Sequence, residues 1–163
     1  MKNKFEKRFL RVLFILTLSA LPFLFRKHPM KDSMLTFLLN GYTNGIVDRF
    51  VVNHKLIRYP VRYFRKEFKI HVLFDFLLYP TVSVILNQLT KNDKPLVVIY
   101  KILLFIFPMF FIELWAERKT NLITWKRSWK WYHTLLTLTV KSVLNRLMIG
   151  AIRVLDEKVE KSS

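Results

Sequence analysis

Residues 69–89 read KIHVLFDFLLYPTVSVILNQL, and this stretch decides the fold. Its length and apolar content suit a helix that crosses a bilayer, which takes about 20 residues. Polar residues interrupt it at every fourth position: His71, Asp75, Tyr79, Ser83 and Asn87. On a helix, residues so spaced stack into one ridge inclined to the axis. A carboxylate in mid-membrane costs about 2.5–3.5 kcal/mol on insertion scales unless a neighbouring group satisfies it. The ridge is therefore expected to face other helices.

The chains flanking this stretch repeat the pattern. Downstream, residues 96–116 form the most hydrophobic span, broken by Lys101 and Glu113, with Pro108 predicting a kink. Residues 131–152 carry a ridge of His133, Thr137, Lys141 and Asn145. They are expected to span with that face inward, or else to lie on the surface as an amphipathic helix. The charged tail, 153–163, is expected to be disordered. Upstream, residues 34–52 are the weakest span, with Asn40, Asn44 and Asp48 at four-residue spacing. Gly41 and Gly45 lie beside that ridge as a small-xxx-small pair, so close helix packing involving Asn40, Gly41, Asn44, Gly45 and Tyr79 is expected. Residues 9–25 follow a basic start and read as an uncleaved first span rather than a signal peptide. The sum is an all-α integral membrane helical bundle, a single membrane domain with four or five transmembrane helices.

The 163-residue chain is 52% hydrophobic and has a net charge of +17. Its Lys and Arg gather between the apolar blocks, as the positive-inside rule and anionic headgroups would arrange them. Arg58, Arg62 and Arg65, with Trp125 and Trp129, are expected at the lipid interface, and anionic lipids are the expected partners. No nucleic-acid-binding motif accompanies the charge, so nucleic acid is not an expected partner. The chain has no cysteine, which removes disulfides and thiolate chemistry. The most basic connections share one side if five spans alternate, which puts them and the N-terminus in the cytoplasm of a cell.

Alternating helix directions also bring Asp48, His71, Asp75, Glu113, Glu117 and His133 to a similar depth on that inner side. They form a candidate polar or ion-binding cluster. Carboxylates and histidines inside a membrane can relay protons or bind cations, and such a set could also hold a divalent metal. No metal or cofactor is assigned. The sequence has no Gly-rich phosphate loop, G-x-S-x-G or H-E-x-x-H, so enzymatic activity is not expected. The leading expectation is a structural or accessory membrane protein. The alternative is a small proton- or cation-coupled transporter or channel using the inner-side acidic cluster. That role would call for a homo-oligomer, which Gly41 and Gly45 could mediate, or for a membrane protein partner.

At residues 40–50 (NGYTNGIVDRF), 58–62 (RYPVR), 74–80 (FDFLLYP), 112–117 (IELWAE) and 129–134 (WKWYHT), the chain resembles a family of small uncharacterised multi-pass membrane proteins of spore-forming Firmicutes. The resemblance implies a bacterial cytoplasmic-membrane protein connected with the envelope or sporulation. It implies no catalytic or binding residues.

Overall fold

The structure, a computed structural model, describes residues 3–27, 30–64, 66–126 and 128–161. Pro29 and the expected interfacial residue Arg65 lie outside the described residues. Five α-helices run in chain order: α1 (Lys4–Arg26), α2 (Met30–Asn53), α3 (Tyr79–Leu89), α4 (Pro95–Lys119) and α5 (Trp131–Glu160). A π-helical segment, Phe74–Leu78, leads directly into α3. Three helices are long and apolar enough to cross a membrane: Lys4–Arg26, Pro95–Lys119 and Trp131–Asp156. By composition α2 falls short of that standard, and by length so does α3.

α2 nonetheless has the faces of a helix in lipid. Ser33, Thr36, Asn40, Asn44 and Asp48 are buried. Met34, Leu38, Tyr42, Ile46 and Phe50, also four apart, are all exposed. The helix is polar inward and apolar outward, the reverse of a water-soluble helix. α5 follows the same rule, with Thr134 and Asn145 buried while Leu136, Val140, Leu144 and Leu147 face out. This inversion suits a hydrocarbon solvent, which rewards no apolar burial but leaves any exposed polar group unsatisfied.

The buried polar residues fasten α2 to α3. Asn44 Nδ2 donates to Asn40 Oδ1 at 2.6 Å and reaches the Asp75 carbonyl at 3.5 Å. Asn87 Nδ2 donates to Thr36 Oγ1 at 2.8 Å, and Gln88 Nε2 donates to Ser33 Oγ at 2.9 Å. Between these bonds the glycine face of α2 lies against Phe76 and Pro80. A Cβ on Gly41 would stand 3.6 Å from both side chains, whereas one on Gly45 would stand 2.6 Å from Phe76 Cζ. The glycine pair is thus taken up within the chain and is not available to join two copies, which corrects the expected oligomer contact.

The π segment has a local cause. Pro80 has no N–H to offer the Phe76 carbonyl, and its ring crowds that carbonyl in a regular α-helix. The wider turn relieves the crowding, with the Tyr79 N–H bonding back to Phe74 O. It also turns Asp75 inward, where the residue is 3% exposed.

At the end of the bundle where α2 stops and α5 starts, two connections fold together. β1 (Ile57–Arg58) pairs antiparallel with β2 (Thr124–Trp125). The Lys126 N–H donates to Leu56 O at 2.9 Å, and the Val61 N–H to Asn121 O at 3.1 Å. Ile57, Val61, Leu122 and Ile123 are buried with Leu10, Val51, Leu73 and Ala116 as an apolar cap. The basic loops are therefore folded together as a cap. The C-terminal tail also departs from expectation, because α5 continues to Glu160. Lys31 pairs with Asp156 at 2.6 Å, and Arg153 pairs with Asp32, which ties that continuation to the start of α2.

Candidate functional site

Beneath the cap, α2, the π segment, α3, α4 and α5 each turn a polar side chain toward one cavity of about 50 Å³. Asp48, Asp75, Tyr79, Glu113 and Lys141 line it, with Tyr59 from the cap. Such a volume accommodates one or more waters, which need only about 10–15 Å³ each by this measure. Asp48 and Asp75 face the same small space. Tyr59 Oη donates to Asp48 Oδ1 at 2.6 Å. Glu113 Oε1 accepts from Thr134 Oγ1 at 3.1 Å, and Thr134 Oγ1 accepts from Trp129 Nε1 at 2.9 Å. Tyr79 and Glu113 line the cavity together, and among the described residues the buried Trp125 Nε1 has no hydrogen-bond partner.

Three carboxylates share this space with one ammonium. Lys141 faces Asp75, Asp48 and Glu113, and its Nζ stands 5.2 Å from the centre of the Tyr79 ring. Among the described residues no protein donor reaches Asp48 Oδ2 or Asp75 Oδ2. Two ionised carboxylates on one small cavity repel each other, and binding a proton at either removes that repulsion. Tyr59, in the cap, has its phenol held well above the usual tyrosine range by burial and then by the charge of Asp48. It remains a hydrogen-bond donor throughout the neutral range.

Of the six residues expected in the cluster, Asp48, Asp75 and Glu113 meet on the cavity, and His71, Glu117 and His133 do not. His71 is buried behind Tyr59, with ring centres 5.6 Å apart, and packs on Phe74 at 4.2 Å. Its carbonyl caps the start of the third helix, accepting from Phe74 N and Asp75 N. His133 Nδ1 accepts the Lys130 N–H at the start of α5, and its ring lies against Trp129 and Tyr132. Among the described residues no group of three or more His, Cys, Asp or Glu is arranged to hold a metal ion. Trp125 and Trp129 are half-buried, Trp129 bonded to Thr134, while Arg58 and Arg62 line a separate basic cavity in the cap.

Tyr59, Thr134 and the two tryptophans gave no signal by spacing, because loops bring Tyr59, Trp125 and Trp129 to the site. Lys141 stood on the polar ridge of α5, and its depth was the available clue. Comparison with family models, with curated proteins and with solved structures returns no match.

Two smaller cavities continue from the acidic one toward the far end of the bundle, the first walled mainly by apolar side chains such as Leu86, Phe105, Ile106 and Leu138. One of about 20 Å³ shares Tyr79 and Lys141 with it and adds Asn40, Asn44, Ser83 and Ser142. Another, of about 10 Å³, shares Ser83 and Ser142 with the second and adds Asn87, Asn145 and Arg146. Beyond that, Arg146 donates to the carbonyl of Thr90 in the α3–α4 link at 2.9 Å. Polar groups thus follow one another along the axis from Tyr59 to Thr90.

Proposed function

We propose that this is a multi-pass membrane protein that binds protons at Asp48, Asp75 and Glu113 and relays them along the polar axis of its bundle. The observation that carries the reading is the contrast between two kinds of buried polar group. Asn40, Asn44, Asn87, Thr36 and Gln88 have partners, as groups that merely hold helices together should. Among the described residues Asp48 and Asp75 each keep an oxygen without a protein donor. His71, Asn145 and Arg146 also have unpaired atoms, but the two carboxylates share one cavity of water size with Lys141 opposite. Ionisable residues placed in a membrane at such cost are functional candidates first. The small cavities suit protons or a bare cation rather than an organic solute.

In this reading all five helices span. The outward apolar ridge of α2 covers 34–50, about 24 Å at 1.5 Å per residue, which accounts for most of a hydrocarbon core of about 30 Å. The basic cap and the N-terminus lie in the cytoplasm, and the membrane is a bacterial plasma membrane, in keeping with the resemblance to small proteins of spore-formers. A second reading, an accessory protein whose polar interior only fixes helix packing, draws support from the well-paired α2–α3 half.

Proton flux into proteoliposomes, for wild type and Asp75→Asn with the melting temperature of each, separates the two. The relay requires flux in wild type that falls at least tenfold in a variant of unchanged stability. No flux in either protein, with the variant melting several degrees away from wild type, leaves the packing reading.

A further inference from the structure

The largest cavity in the molecule among those described is not the acidic one. It lies in the cap and encloses about 680 Å³. Lys55, Arg58, Arg62, Lys69 and Lys126 line it together with Thr124, and among the described residues no carboxylate does. Like charges on loose loops would spread apart. These are held on a folded frame: Arg58 is in β1, Lys126 hydrogen-bonds through its N–H to Leu56 O, and the Arg62 guanidinium is fixed by the carbonyls of Tyr59 and Phe68.

Lys55 adds an independent observation. α2 ends with the Leu56 N–H bonded to Val51 O and the Lys55 N–H bonded to Val52 O, the paired bonds of a Schellman motif. The motif places its final residue in the left-handed region, where glycine is the usual choice. Here that residue is a lysine at φ 57°. Backbone strain clusters at functional sites. Phe64 has a similar φ of 55°, but of the two only Lys55 lines the cavity.

We infer that the cap cavity is a binding site for a ligand bearing two or more phosphate groups. A single phosphate would occupy only a small part of the volume, which falls in the range of about 300–1,000 Å³ typical of ligand sites. Clustered Lys and Arg match adjacent phosphates, with arginine supplying paired donors. The phosphates can belong to a diphosphate lipid headgroup or to a soluble diphosphate. Both offer the same chemistry, and basic pockets at the cytoplasmic ends of membrane helices take such headgroups. The inference does not depend on proton relay, since this cavity meets the acidic one only at the shared walls Ile57 and Tyr59.

The test uses the full chain in nanodiscs of zwitterionic lipid, with pyrophosphate titrated by calorimetry, and parallel nanodiscs containing cardiolipin, with retained lipid read by native mass spectrometry. Variants are Lys55→Gly, Arg58→Gln and Lys119→Gln, an exposed cation on α4 outside the cavity. Saturable pyrophosphate binding that weakens at least tenfold in Lys55→Gly and Arg58→Gln, but under twofold in Lys119→Gln, supports the site with a soluble ligand. Cardiolipin retained by wild type and Lys119→Gln, and lost by the two cavity variants, supports it with a lipid. Lys55→Gly relieves the strained backbone and should melt no lower than wild type, so its loss of binding cannot come from misfolding. Equal weakening in all three variants, or no binding in either arm, overturns the inference.

Discussion

Tyr59 and Asp48 show how tightly the cap and the membrane interior are joined. The phenol is the one donor that reaches Asp48 among the hydrogen bonds described, at 2.6 Å. Tyr59→Phe leaves a second Asp48 oxygen without a partner and should cost about 1–3 kcal/mol, the usual penalty for an orphaned buried acceptor. Reversible unfolding in mixed micelles measures it. Glu113→Gln is gentler, because the amide can still accept from Thr134, so proton flux should fall while stability changes by less than about 1 kcal/mol. At this scale the sequence was partly legible. Alternating helix directions were enough to put Asp48, Asp75 and Glu113 at one depth. They could not say which way His71, Glu117 and His133 turn, because these residues sit at helix ends where caps and loops decide orientation.

Among the elements, α2 and the π segment form the closest contact. A methyl group at position 41 meets ordinary van der Waals neighbours, while one at 45 strikes the Phe76 ring. Gly41→Ala should therefore be nearly neutral, and Gly45→Ala should destabilise the bundle by about 1–3 kcal/mol, as overpacking does. Combining Gly45→Ala with Phe76→Ala should cost less than the sum of the single changes, which a double-mutant cycle in unfolding free energy reads directly. The helices were legible from apolar length and four-residue polar spacing, which survive any tertiary arrangement. β1 and β2 were not. Two-residue strands have no periodicity, and their pairing joins segments more than 60 residues apart. The extension of α5 to Glu160 was hidden for a similar reason, since its charged residues are held by Lys31 and Asp32 from another helix.

For the whole molecule, the proposed cytoplasmic placement of the basic cap predicts an orientation that can be tested. The chain has no cysteine, so each introduced one reports alone. In intact cells an impermeant maleimide should label Lys94→Cys and Lys161→Cys, and should label Lys66→Cys only after permeabilisation. Labelling of Lys161→Cys only after permeabilisation would mean that α5 does not cross. The inverted faces of α2 have a further consequence, for biogenesis. Its polar ridge finds partners in Asn87, Gln88 and the Asp75 carbonyl, all of which are synthesised later. Leaving the insertion machinery alone, α2 would carry Asp48 and the remaining amide groups of Asn40 and Asn44 into lipid, with only the Asn44–Asn40 bond met, at a cost of several kcal/mol. It should therefore wait beside the translocon until residue 89 has emerged, and enter the bilayer already paired with α3. A nascent chain ending at residue 60 should accordingly leave α2 extractable by alkaline carbonate, whereas one ending at residue 119 should not.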